Sequence, residues 1–229
     1  MGVVAGKNGD MKQFMRSLAT DILSTIGAGR RLMAVDGVDG SGKTSFAANL
    51  VSEIRNRPVI VIHADDFLNP SHLRHAKGRS SPEGFWEDTY NYEALQDKLL
   101  APLGPKGDGW YSPASYDSGT DQMVEVEVVH APSDALVVVE GMFLHRDELN
   151  SYWDASVFLD VPFTETAARM AVRNGSNPDP EHPTMSRYVG GQRLYFDAAR
   201  PWERASFVVD NSVFTSPKLI HPDEVSTLR

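Results

Sequence analysis

The chain has 229 residues, 41% of them hydrophobic, and a formal net charge of -9 from 31 acidic against 22 basic residues. That length supports one well-filled core, and the acidic balance argues against a nucleic-acid-binding surface, leaving basic residues to act locally. Zero cysteines exclude disulfides, cysteine-ligated zinc and a thiol nucleophile together.

Residues 1–9 are small and polar, without the apolar centre of a signal peptide, and Gly6 stands where a myristoylation signal wants Ser or Thr. No apolar run is long enough to span a bilayer, so the expectation is a cytoplasmic protein with no membrane partner. From Asp10, the residues Met11, Phe14, Met15, Leu18, Ile22, Leu23 and Ile26 recur at helical spacing, with Asp10 as N-cap and Gly27 as stop. This 10–26 helix is expected to pack on a sheet rather than to recruit a partner.

Next comes the apolar run Leu32-Met33-Ala34-Val35, then Gly37-Val38-Asp39-Gly40-Ser41-Gly42-Lys43-Thr44, then a helical stretch over 43–56. Glycines at 37 and 42 let the backbone curl until successive N–H groups point at phosphate oxygens, and the following helix adds its N-terminal partial charge. Gly37, Asp39, Gly40, Ser41, Gly42, Lys43, Thr44 and Ser45 are the expected nucleotide-binding set. Lys43 is placed to reach the β and γ phosphates and Thr44 to offer its hydroxyl to Mg²⁺, which makes ATP and Mg²⁺ the expected cofactors.

Four further runs, Val59–Ile62, Leu136–Val139, Val157–Leu159 and Phe207–Val209, are continuous rather than alternating and rich in β-branched residues. Strands buried on both faces read this way, and helical stretches at about 91–101, 163–173 and 185–199 alternate with them. The fold expected is α/β: a doubly wound parallel five-stranded sheet with flanking helices, one domain over 1–229. Residues 102–130 form an accessory insertion on the substrate side. It holds an aromatic-bearing loop with Trp110, Tyr111 and Tyr116, and Val124–Val128 alternates strictly, as a half-solvated strand does.

Two carboxylate motifs end buried strands. His63-Ala64-Asp65-Asp66-Phe67 follows the second, where open parallel sheets bind ligands, and Asp65 is placed to accept a proton from an alcohol receiving the γ-phosphoryl group. Glu140, ending Val137-Val138-Val139, is the candidate Mg²⁺ residue with Thr44 and Asp65.

With these motifs in order, the chain resembles the uridine kinase and phosphoribulokinase branch of the P-loop kinases. The resemblance runs through Gly37–Thr44, Asp65-Asp66-Phe67, Phe85–Tyr90, Tyr116-Asp117, Glu140-Gly141, Trp153–Ala155, Arg169–Arg173 and Ala205–Asn211. It implies Asp65 as base, Asp88 as ligand of ribose hydroxyls, Tyr116 in a base pocket, and Arg169 and Arg173 as lid arginines. The catalytic set is thus Lys43, Asp65, Arg169 and Arg173. The substrate set is Phe85, Asp88, Tyr90, Tyr116, Arg169 and Gln192. Ser118-Gly119-Thr120-Asp121 follows Tyr116-Asp117 where uridine kinases carry a His and an Arg, which leaves the nucleobase open.

Arg169 and Arg173 share a helical face and lead into a Gly- and Pro-rich stretch that begins a mobile lid at 174–187; Arg187 and Arg193 follow. Gly190-Gly191 is expected to weaken the next helix and help the lid move. The expected activity is phosphoryl transfer to a small molecule, foremost the 5′ hydroxyl of a pyrimidine ribonucleoside. Pantothenate, a sugar acid or another nucleoside are the alternative acceptors, and a non-kinase NTPase switch is the alternative class. Homo-oligomerisation is left open.

Overall fold

The five continuous apolar runs do form the centre of the molecule, in a computed structural model that describes residues 3–228, with side chains from Gly9 onward. Residues 1–2 and 229, the extreme ends of the expected domain, lie outside the described residues. Strands β1 (Arg31–Gly37), β2 (Val59–His63), β3 (Leu136–Gly141), β4 (Ala155–Asp160) and β5 (Phe207–Asp210) pair in parallel, and β6 (Lys218–Leu219) adds an antiparallel edge. The order is β6-β5-β4-β1-β3-β2. The sheet therefore has six strands where five were expected; a two-residue strand is too short to leave an apolar run in the sequence.

Helices cover both faces. On one, α1 (Val3–Ile26) and α2 (Lys43–Ser52) bury Met15, Leu18, Ile22, Phe46 and Leu50 against Met33, Val35, Val138 and Val157. Each such side chain is worth about 1.5–3 kcal/mol when fully buried, enough to fix α1 on the sheet. Asp10 lies within α1 and is not its cap, whereas Gly27, with φ of +70°, does end it. The other face carries α3 (Pro82–Asp88), α4 (92–103, with a π-helical turn at Gln96–Leu100) and α6 (Gly191–Ala199), packed on Leu32, Ala34, Val137 and Val139. α5 (Phe163–Asn174) shares a small separate cluster, Ala167, Met170, Met185 and Val189, with the turn over 185–189.

Two local expectations fail. Val124–Val128 forms no strand, although Val124 N–H donates to the Ser115 carbonyl at 3.0 Å, and the accessory region is instead two short hairpin rungs, Trp110–Tyr111 with Val129–His130 and Tyr116–Asp117 with Gln122–Met123. Gly190 and Gly191 serve packing rather than looseness: a Cβ there would stand 2.8 Å from Pro82 Cγ and 2.8 Å from Phe85 Cδ1 respectively. Their lack of side chains lets α6 and its entry turn press onto α3. No helix among the described residues is long and apolar enough to cross a membrane.

Candidate functional site

Register aligns the carboxyl ends of three adjacent strands. Asp36 of β1 lies beside Gly141 of β3, and Glu140 lies beside His63 of β2. The phosphate loop leaves β1 at this edge and enters α2 at Lys43. Gly40 and Gly42 take left-handed φ values of +78° and +90°, which a side chain would strain. A Cβ on Gly42 would also meet the Phe214 ring at 2.4 Å. Lys43 bends back over the loop, its Nζ donating to the Val38 carbonyl at 3.0 Å. The Ser41 hydroxyl is buried in the same loop without a partner.

A cavity of about 340 Å³ lies over this loop. At one end it is lined by Asp65, Glu140, Gly141 and Met142, and at the other by Arg169, Met170, Arg173 and Phe214. Gly42, Lys43, Thr44 and Ser45 lie between, with Asp39 and Gly40. Glu140 Oε1 accepts from the Thr44 hydroxyl at 2.8 Å and contacts His63 Nδ1 at 2.6 Å. Asp65 Oδ1 accepts from the Tyr90 hydroxyl at 2.9 Å, and that hydroxyl accepts from Met142 N–H at 3.3 Å. Burial, then the Asp65 charge, pushes the Tyr90 hydroxyl far above its ordinary range, so it stays a proton donor to Asp65. Asp66 is absent from the cavity lining, and burial raises its carboxyl above the usual range.

Arg169 and Arg173, the two arginines expected at the lid, differ in their partners. Arg169 donates to the carbonyls of Gly40, Asn211 and Ser212 at 3.3, 3.1 and 2.7 Å, and its guanidinium stacks 3.8 Å from the Phe214 ring centroid. Arg173 pairs with Asp39 at 3.0 Å across the cavity mouth. Arg187 and Arg193 do not face the loop. Arg187 is buried on the carbonyls of Arg74, Gly78 and Ser81, and Arg193 pairs with Glu181.

The expected substrate set is only partly assembled. Asp88 is partly exposed and held by Lys77 at 2.9 Å. Phe85 and Tyr90 belong to the central aromatic cluster and Tyr116 is buried, its hydroxyl donating to Asp121 at 2.7 Å and accepting from Arg74 at 3.2 Å. All three rings are thus buried, Phe85 and Tyr90 by apolar packing and Tyr116 under the Arg74 guanidinium, which corrects the expectation that they offer open faces to a base. Gln192 is buried with its Oε1 unpartnered. Sequence reasoning missed Phe214, for which a lone Phe in a polar stretch gives no signal. It also missed Asp36, whose signal was available: a carboxylate inside an apolar strand must find partners.

The residues fit a nucleoside triphosphate, because a cradle closed to side chains at Gly42 adjoins Lys43 and an orphaned Ser41 hydroxyl. They also fit Mg²⁺. Among the described residues no group of three or more His, Asp or Glu could hold a metal alone. Mg²⁺ takes one or two protein oxygens and completes its shell with phosphate and water, and the joined Thr44 and Glu140 oxygens suit that.

No protein-family profile matches the chain. Human nicotinamide riboside kinase 1 is 27% identical over 149 residues, 65% of this chain and 67% of that protein. Uridine kinase from Brevibacillus brevis is 30% identical over 149 residues, 62% of this chain and 65% of that protein. A solved chain described as a possible uridine kinase from Bacillus stearothermophilus superposes with a TM-score of 0.67 at 25% identity, covering 87% of this chain and 97% of that one.

Proposed function

Because the chain belongs to the uridine kinase and phosphoribulokinase-like branch of the P-loop kinases, we propose that it transfers the γ-phosphoryl group of ATP to the 5′ hydroxyl of a ribonucleoside, foremost a pyrimidine one. The observation that carries phosphoryl transfer to an alcohol is the position of Asp65. Its carboxylate opens on the same cavity as Lys43 and is oriented by a hydroxyl that remains protonated. Support for a riboside comes from relatives named for uridine and nicotinamide riboside, and from Asp88, a partly exposed carboxylate whose counter-ion Lys77 is itself exposed and exchangeable.

In this reading the loop amides and Lys43 would hold the phosphates, while Thr44 and Glu140 would hold Mg²⁺. The ion, when bound, neutralises charge on the phosphate oxygens. Asp65 accepts the hydroxyl proton as the alcohol oxygen bonds to phosphorus, and the bond to the bridging oxygen breaks to release ADP. Arg173 supplies positive charge from the lid side. Such a kinase works where ATP is made available, in the cytoplasm.

The test is kcat/KM with Mg²⁺-ATP for uridine, cytidine, adenosine, deoxyuridine, pantothenate and glycerate. A ribonucleoside should lead. A preference for either acid over every nucleoside would replace the acceptor, and ATP turnover indifferent to all alcohols would favour an NTPase switch.

A further inference from the structure

Asp36 lies one residue before the phosphate loop and is completely buried, as is His145 in the turn after β3. A carboxylate there is costly unless its lone pairs are filled. Four donors fill them. Gly37 N–H reaches Oδ1 at 2.7 Å, while Oδ2 takes the His145 N–H at 3.2 Å, its ring Nδ1 at 2.7 Å and the Tyr195 hydroxyl. Burial, reinforced by Asp36, holds that hydroxyl far above its ordinary range, so Tyr195 remains a donor.

The three side chains come from elements with different tasks. Asp36 roots the phosphate loop, His145 ends the turn that follows Glu140, and Tyr195 sits on α6, which returns from the lid segment. Between Glu140 and His145 the backbone is strained: Phe143 has φ of +65°, where bulky side chains rarely go. Such a conformation persists only when its surroundings over-determine it. Here the turn is pinned on both sides of the strained residue, through Met142 to Tyr90 and Asp65, and through His145 to Asp36. The Phe143 ring packs edge-on against Phe85, Trp86 and Tyr195 at 5.4, 5.2 and 5.2 Å.

We propose that Asp36, with His145 and Tyr195, is a positioning residue of the transfer reaction. One buried carboxylate holds the strained turn, and through Met142 and Tyr90 the Asp65 carboxylate, in register with the phosphate loop and the lid-return helix. The inference rests on the kinase reading above but not on which alcohol is the acceptor. None of the three lines the cavity over the loop, so their loss disturbs alignment rather than binding. Misplacing a reacting group by about 1 Å costs on the order of 10²-fold in rate.

His145→Asn keeps an N–H donor near the Nδ1 position, whereas His145→Leu keeps bulk and removes it. With Mg²⁺-ATP and the leading acceptor, at a temperature where circular dichroism shows each variant folded, His145→Leu and Tyr195→Phe should lose roughly 10- to 100-fold in kcat. Both KM values should stay within about threefold, and His145→Asn should recover most of the loss. Should His145→Leu not fold, Tyr195→Phe decides alone, since it keeps the ring packing. Unchanged kcat in folded Tyr195→Phe, a loss confined to KM, or equal losses in the Asn and Leu variants would overturn the proposal. A wild-type enzyme inactive toward every alcohol would overturn the kinase reading and this inference with it, a result distinct from an active enzyme indifferent to the variants.

Discussion

Asp65→Asn and Asp66→Asn separate the two adjacent carboxylates by chemistry rather than by shape. In Asp65→Asn the side-chain amide oxygen still accepts from Tyr90, whose hydroxyl lies 2.9 Å from Asp65 Oδ1, so folding should change little. What the amide cannot do is take a proton. General-base assistance contributes about 10²- to 10⁴-fold, so kcat should fall by that factor, equivalent to about 2.7–5.4 kcal/mol of barrier. ATP binding should persist.

Asp66→Asn should leave kcat within about twofold, the scatter expected of a side chain outside the reacting set. Its effect is on stability. Burial raises the folded-state value of Asp66 above its ordinary 3.8. Between those two values the unfolded chain binds fewer protons than the folded one, so stability falls as pH rises through that window. The Asn variant lacks that fall and should be at least as stable as wild type at pH 7. Coupled measurement of ADP release gives kcat, and urea unfolding at pH 4, 5.5 and 7 gives the linkage. A crippled Asp66→Asn beside a mild Asp65→Asn would refute the assignment of the base.

Lys43→Ala should abolish turnover without unfolding the protein, because among the described residues its ammonium donates to the Val38 carbonyl alone and Lys43 belongs to no core cluster; near-wild-type turnover would remove the phosphate-loop assignment. Asp88→Ala should erase any preference for a ribonucleoside over its 2′-deoxy form while sparing KM for ATP, since a carboxylate that pairs two hydroxyls is left unsatisfied when one is missing. A preference that survives the substitution would move ribose recognition elsewhere.

The phosphate loop was legible because its chemistry leaves few alternatives: curled backbone needs glycine, and glycine at those spacings is visible in letters. The parallel strands were legible for a similar reason, since burial on both faces demands unbroken apolar runs. Other features look identical in sequence whichever role they play. Phe85 and Tyr90 read equally well as stacking surface or as core, and only the packing of Phe143 between them and Tyr195 makes them core. Gly190-Gly191 reads as flexibility until Pro82 and Phe85 are seen pressed against it. The alternation of Val124–Val128 satisfies a strand pattern, yet among the described residues only Val124, bonded to the Ser115 carbonyl, continues a ladder, and the segment forms no strand.

Arg169 and Arg173, grouped by spacing, separate by energetics. Arg169 is half-buried, tied to three carbonyls and stacked on Phe214. It staples the 211–214 segment to the phosphate loop, and moving it would strand several acceptors at once. Arg173 has one partner among the described residues, Asp39, with side chains 58% and 21% exposed. A pair so exposed is worth about 0–1 kcal/mol, whereas hydrogen bonds to charged groups contribute about 1.5–3 kcal/mol. Exchanging present partners for a phosphate oxygen therefore runs downhill for Arg173, which gives up one exposed pair, and uphill for Arg169, which gives up three carbonyls. Arg173 is thus the arginine free to follow the transferring group, and Arg169 the fixed wall it moves against. Arg173→Ala should accordingly lower kcat with the fold unchanged, while Arg169→Ala should raise KM for ATP as the 211–214 wall loosens.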